Sequence, residues 1–92
     1  MKNIIGEKLQ SLYEKGLRNM IESAFAYGGF EKGSWNYMHY ILPYKEKLGE
    51  VTFERIYDEH TKYLTENFEV EQNVHTDSEG LTYNSLKQKL NN

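Results

Sequence analysis

Three histidines, His39, His60 and His75, and fourteen carboxylates are the residues of this chain that could ligate a metal or transfer protons. Metal sites and acid-base pairs need such groups at spacings that bring them together. The spacing here does not. There is no HExxH, no histidine pair at i and i+4, no EF-hand loop and no phosphate-cradling glycine loop. His60 falls on the apolar stripe of a helical segment, next to Glu59, and reads as a core or boundary histidine; His75 adjoins a turn. Ser34 and Ser78 sit where cap and turn residues belong, without the local signature of a nucleophile. Cysteine is absent, which removes disulfides and thiolate metal sites. The sequence therefore predicts no catalytic residue, no metal and no cofactor. A small enzyme would require a polar pocket gathering His60 with carboxylates.

Charge carries more information than any motif. Between Glu50 and Gly80, nine acids face only Arg55 and Lys62, while both flanks are mildly basic. On a helix, Arg55 with Glu59, Asp58 with Lys62, and Lys62 with Glu66 are spaced i, i+4, and such pairs are worth a few tenths of a kcal/mol each. That local pairing leaves an excess. Glu69, Glu71, Asp77 and Glu79 continue the negative charge beyond the helix without basic neighbours in sequence. Glu54, Asp58, Glu66, Glu69, Glu71, Asp77 and Glu79 are accordingly the candidate partner-binding residues. A surface of this sign speeds encounter with a basic protein. It disfavours direct nucleic-acid binding, which needs lysine and arginine in number. Lys32, Lys45 and Lys47 among aromatic residues give only a faint version of a base-stacking surface.

Aromatic residues form the second cluster. Phe25, Tyr27, Phe30, Trp35, Tyr37, Tyr40 and Tyr44 lie within twenty residues. Tyrosine and tryptophan anchor interfaces because they bury a large area at low entropy cost; the competing reading is a core. Trp35 and Met38 are expected to face inward and Tyr37 and Tyr44 to be free, with Phe30, in the loop GGFEKG, the most exposed anchor. Phe30, Trp35, Tyr37 and Tyr44 are the candidate aromatic contacts.

The elements that must position these groups follow from periodicity. Residues 4 to 27 place Ile5, Leu9, Leu12, Gly16, Met20 and Ala24 on one helical stripe and Ile4, Tyr13, Leu17, Ile21 and Phe25 beside it, with Gly28 and Gly29 to end it. Gly16 lies on that stripe at a cost of about 1 kcal/mol in helix propensity, which a close backbone approach would explain. Ser34 is suited to cap a second helix from Trp35, and Pro43 predicts a kink or a break into two short helices before Leu48 and Gly49. A third helix is expected to start with Thr52 as its cap and Val51 stapled to Ile56, to bury Phe53, Ile56, Tyr57, His60 and Leu64, and to stop near Asn67. From Phe68 the period becomes two, and a turn at residues 77 to 80 suggests a hairpin pairing Thr76 with Leu81 and Val74 with Tyr83. Leu81, Leu86 and Leu90 are also compatible with a terminal helix.

Ninety-two residues make one α+β domain spanning residues 1 to 92: a long first helix, a kinked second, an amphipathic third and a C-terminal β-hairpin. A chain this short buries only about 60 to 65% of its unfolded surface, so a homo-oligomer is a reasonable expectation. Neither a signal-peptide core nor a membrane span is apparent, and the expected setting is cytoplasmic. Nine lysines against two arginines, with eight asparagines and eight tyrosines, resemble the profile of small proteins from bacteria and their phages. The functional expectation is a non-enzymatic protein-binding module. An inhibitor from a phage or mobile element, of the anti-CRISPR kind, that docks its acidic helix and hairpin on a basic, nucleic-acid-binding protein fits size and charge. The alternative is a structural protein that self-associates through segment 25 to 44 or the hairpin edge.

Overall fold

The first helix, α1 (Ile4–Ala26), ends where the sequence offers two glycines, and the Gly29 N–H closes its last turn on the Ala24 carbonyl at 2.6 Å. A computed structural model describes residues 4 to 76, 80 and 82 to 89. After the loop 27 to 34, a second helical segment starts at Trp35, widens into a π-helical turn (Tyr37–Ile41), and restarts as α2 (Pro43–Leu48). Helix α3 (Glu50–Asn67) leads directly into strand β1 (Phe68–Thr76), which pairs antiparallel with β2 (Thr82–Gln88). The architecture is α+β, three helices followed by a two-stranded hairpin.

Helix α3 organises the core. Phe53, Ile56, Tyr57 and Leu64 are buried on its inner face, as the period predicts, and meet Leu17, Ile21 and Ala24 of α1 and Tyr37 and Ile41 of the π turn. Its start differs from expectation. The helix begins at Glu50, immediately after Gly49, whose φ of 85° turns the chain between α2 and α3; Thr52 lies inside the first turn. Val51 is 84% exposed, so no staple to Ile56 forms. The positive φ of Gly49 reverses the chain directly after α2, so the helical ladder resumes at Glu50, ahead of Thr52.

Proline does break the second helix, in a specific way. Pro43 has no N–H to return to the helix, so it occupies the first position of α2, where no donor is required. The preceding ladder closes instead with a five-residue bond from Leu42 N to Tyr37 O at 2.8 Å. That widened turn rotates the segment relative to a regular helix. Tyr37 and Ile41 point into the core, whereas Trp35 and Met38, expected inside, lie outside.

On α1 the core takes residues from both of the adjacent stripes read in the sequence. Leu17, Ile21 and Ala24 are its buried line, while Leu9 and Leu12 are exposed because the described core begins beyond them. With extents of 50 × 36 × 27 Å and a radius of gyration of 15.3 Å, the molecule is longer than the about 12 Å expected of a compact domain of this length.

The hairpin forms with a register different from that read in the sequence. Thr76 faces Thr82 and His75 faces Tyr83; Leu81 lies outside the described residues. An irregularity between Glu71 and His75 then resets the pairing to Val70 with Leu86 and Phe68 with Gln88. The expected register would have set Val70 against Lys87. The observed one brings Phe68 and Leu86 against the helical core. Docking is reinforced by Asn84 Nδ2 donating to Ala26 O at 2.6 Å and Lys89 Nζ donating to Thr65 O at 2.7 Å.

Gly16 of α1 leaves room for the Tyr44 ring of α2. A Cβ there would lie 2.6 Å from Tyr44 Oη and 3.1 Å from Cζ. Gly16→Ala gains about 1 kcal/mol of helix propensity but must displace the Tyr44 ring, at a cost of roughly 1 to 3 kcal/mol. Urea unfolding should therefore show no stabilisation by Gly16→Ala in the natural background. In a Tyr44→Ala background the same change should stabilise by about 1 kcal/mol; equal effects in both would contradict this packing.

Candidate functional site

Tyr57 of α3 sorts the aromatic cluster into buried and exposed halves. Its hydroxyl donates to the Phe30 carbonyl at 2.6 Å, tying the loop after α1 to α3. Its ring meets Phe30 edge-on at 6.5 Å, Tyr37 edge-on at 5.4 Å and Phe53 in a stack at 6.3 Å. Phe30 also stacks on Phe25 at 5.3 Å. The residue expected to be most exposed, Phe30, is thus half-buried against the core, and Tyr37 is buried. Tyr44 is half-buried over Gly16. Apolar loop residues are drawn inward because Tyr57 offers both a ring and a donor.

What remains outside is a connected aromatic face. Ser34 Oγ accepts from the Tyr37 N–H at 3.2 Å and so caps the segment, fixing the rotation of Trp35. Trp35, 63% exposed, packs on His39 at 4.3 Å and meets Tyr40 edge-on at 5.3 Å. Tyr40 then shares a cleft of about 210 Å³ with Met20, Ala24, Tyr27 and Asn36. Tyr27 and Tyr40 are 52% and 48% exposed. The cleft is held rigid by Asn36 Nδ2, which donates to the carbonyls of Tyr27 and Gly29 at 3.0 and 3.1 Å. Of the four aromatic contacts read from the sequence, Trp35 alone belongs to this face. Tyr27, His39 and Tyr40 were missed as site residues; Pro43 was the signal that helical phase would slip, but not in which direction.

The acidic residues are more paired than their neighbours in sequence suggest. Glu54 accepts from Lys32 at 3.0 Å, Glu50 lies 3.8 Å from Lys45, and Glu59 lies 3.6 Å from Arg55. Glu71, expected to be without a basic partner, lies 3.5 Å from Lys87 across the hairpin. The expected pairs of Lys62 with Asp58 and Glu66 do not form among the described residues. Asp58, Glu66 and Glu69 remain exposed without an ion pair among the described residues, and Asp77 and Glu79 lie outside them.

His60 occupies the boundary position that periodicity predicts. Its side chain is 14% exposed, lies against the Tyr63 ring at 5.8 Å, and places Nε2 3.3 Å from Glu22 Oε1. The approach is off the hydrogen-bonding direction, which leaves Nε2 without a directed partner. Among the described residues no three histidine, aspartate or glutamate side chains converge as metal ligands, and no helix is long and apolar enough to cross a membrane. Comparisons with protein-family models, with curated proteins and with solved structures found no match.

Burial pushes the Tyr37 and Tyr57 hydroxyls above the ordinary tyrosine range, and nearby Glu54 acts in the same direction on both. The hydrogen bond from Lys32 to Glu54 raises the Lys32 ammonium likewise. A group raised in the folded state contributes stability that is complete below its unfolded value and lost as pH rises through the folded one. Folding stability should therefore hold its plateau up to about pH 10 and then fall. Tyr57→Phe should cost about 1 kcal/mol at neutral pH, through the lost bond to Phe30, and make the alkaline decline shallower. Urea melts across this range check both; an unchanged alkaline slope would contradict the role given to Tyr57.

Proposed function

We propose that this protein is a non-enzymatic protein-binding module that docks through the aromatic face of Tyr27, Trp35 and Tyr40. The observation that carries the reading is the outward stacking of the chain's single tryptophan on His39 and Tyr40, beside a cleft braced by Asn36. Tryptophan and tyrosine beside a preformed cleft are the usual anchors of interfaces, and a patch of this composition is costly to leave in water.

The partner is basic. Asp58, Glu66 and Glu69, exposed and without ion pairs among the described residues, keep part of the acidic excess available for steering. Base stacking on the aromatic face is disfavoured because the lysines near it in sequence are engaged elsewhere: Lys32 with Glu54, Lys45 with Glu50, and Lys47 over the Tyr13 ring. A small inhibitor from a phage or mobile element, occupying the basic surface of a nucleic-acid-binding protein, is the biological setting that size and charge fit.

Affinity capture from the native host with paired baits tests the proposal. A partner held by the natural protein should be lost more than tenfold by Trp35→Ala with Tyr40→Ala. Asp58→Lys, Glu66→Lys and Glu69→Lys together should weaken capture mainly at low salt. A partner retained equally by the aromatic variant would refute the assignment of the face.

A further inference from the structure

The first half of α1 presents a second surface. Leu9 and Leu12, at i and i+3, lie on one face of the helix, and Leu12 is 64% exposed. Leu12 borders an open depression of about 570 Å³ lined also by Lys8, Ser11, Lys15 and Glu7. At 100° per residue, Lys8 and Lys15 fall directly beside Leu12, whereas Glu7 lies farther round the helix. On the opposite flank Lys47 of α2 stands over the Tyr13 ring at 5.9 Å. The leucines are thus bordered on one side by Lys8 and Lys15 and on the other by a lysine held over an aromatic ring. Neither Lys8 nor Lys15 has an ion pair among the described residues, since no carboxylate stands three or four residues from either along the helix.

We infer that this lysine-bordered leucine ridge docks an acidic amphipathic helix of a partner protein. An apolar stripe between cations is complemented by leucine-type side chains flanked by carboxylates, the groove-and-helix mode of recognition. A second copy of the same helix fits poorly. In a heptad frame that seats Leu9 and Leu12 in the seam, Lys8 and Lys15 both take the same flanking position. They would face each other in an antiparallel pair; in a parallel one Lys8 would meet Tyr13 and Lys15 would meet Met20, so neither lysine finds a carboxylate on a second copy. The ridge is independent of the aromatic face: Leu12 and Ala26 are fourteen residues apart along α1, or about 21 Å, and Tyr27 lies past that end.

The test uses two labelled 18-residue helical peptides with leucine at alternating three- and four-residue spacing, one flanked by glutamate and one by lysine. Fluorescence anisotropy with the full chain should show binding of the glutamate peptide and none of the lysine peptide. Leu12→Glu, and separately Lys8→Glu with Lys15→Glu, should each weaken the glutamate peptide at least tenfold. Trp35→Ala should leave it unchanged. Leu12 is exposed, so the thermal melt of Leu12→Glu should match that of the natural protein and separate lost docking from lost folding. Equal binding of both peptides, or no binding of either, overturns the inference. So does loss of binding on Trp35→Ala, or a dimer in sedimentation that Leu12→Glu dissolves, since a second copy would then be the occupant.

Discussion

The contact on which the arrangement depends is the one Tyr57 makes with the loop after α1. A phenol buried on α3 donates to the Phe30 carbonyl while its ring collects Phe30, Tyr37 and Phe53. A buried hydroxyl without a partner would be costly, and a loop carbonyl facing the core equally so; each satisfies the other. With the loop pinned, the segment after Ser34 has little freedom of rotation. Tyr37 must enter the core, and the π turn before Pro43 carries Ile41 in after it. The same rotation turns Trp35 and Tyr40 outward. The exposed aromatic face is thus a consequence of core packing several residues away.

Helix α3 and its junction with β1 were legible because their signals are local: an unbroken 3.6 period, then a period of two from Phe68. The second segment was legible only in part. Pro43 announced a break, but the phase of the residues before it is set by a five-residue bond and by Tyr57, neither of which has a sequence pattern. For that reason Trp35 and Met38 exchanged places with Tyr37. Hairpin register failed similarly, since the irregularity between Glu71 and His75 lets Val70 find Leu86 and leaves the strand alternation intact on either side. The cap at Thr52 was a sound local signal overridden by the short Gly49 junction.

Charge shows the same division between local and tertiary. Pairing at i, i+4 along α3 was the visible part, yet only Arg55 with Glu59 forms. Glu54 and Glu71 are instead met by Lys32 and Lys87, from a loop and a neighbouring strand. Such pairs are solvent-exposed and worth little in stability, but they redistribute where negative potential is available. The acidic block divides into a neutralised part and a remainder at Asp58, Glu66 and Glu69, exposed and without ion pairs among the described residues, which is the part available for the proposed steering. The proposed anchoring role falls to the aromatic face, which is braced by Asn36.

Sedimentation velocity from low to high protein concentration, with acrylamide quenching of Trp35 on the same samples, tests whether that face is free for another protein. A monomer whose tryptophan stays accessible throughout is expected. A dimer that forms with concentration and shields Trp35 would contradict the assignment, because the face would then be the chain's own assembly surface.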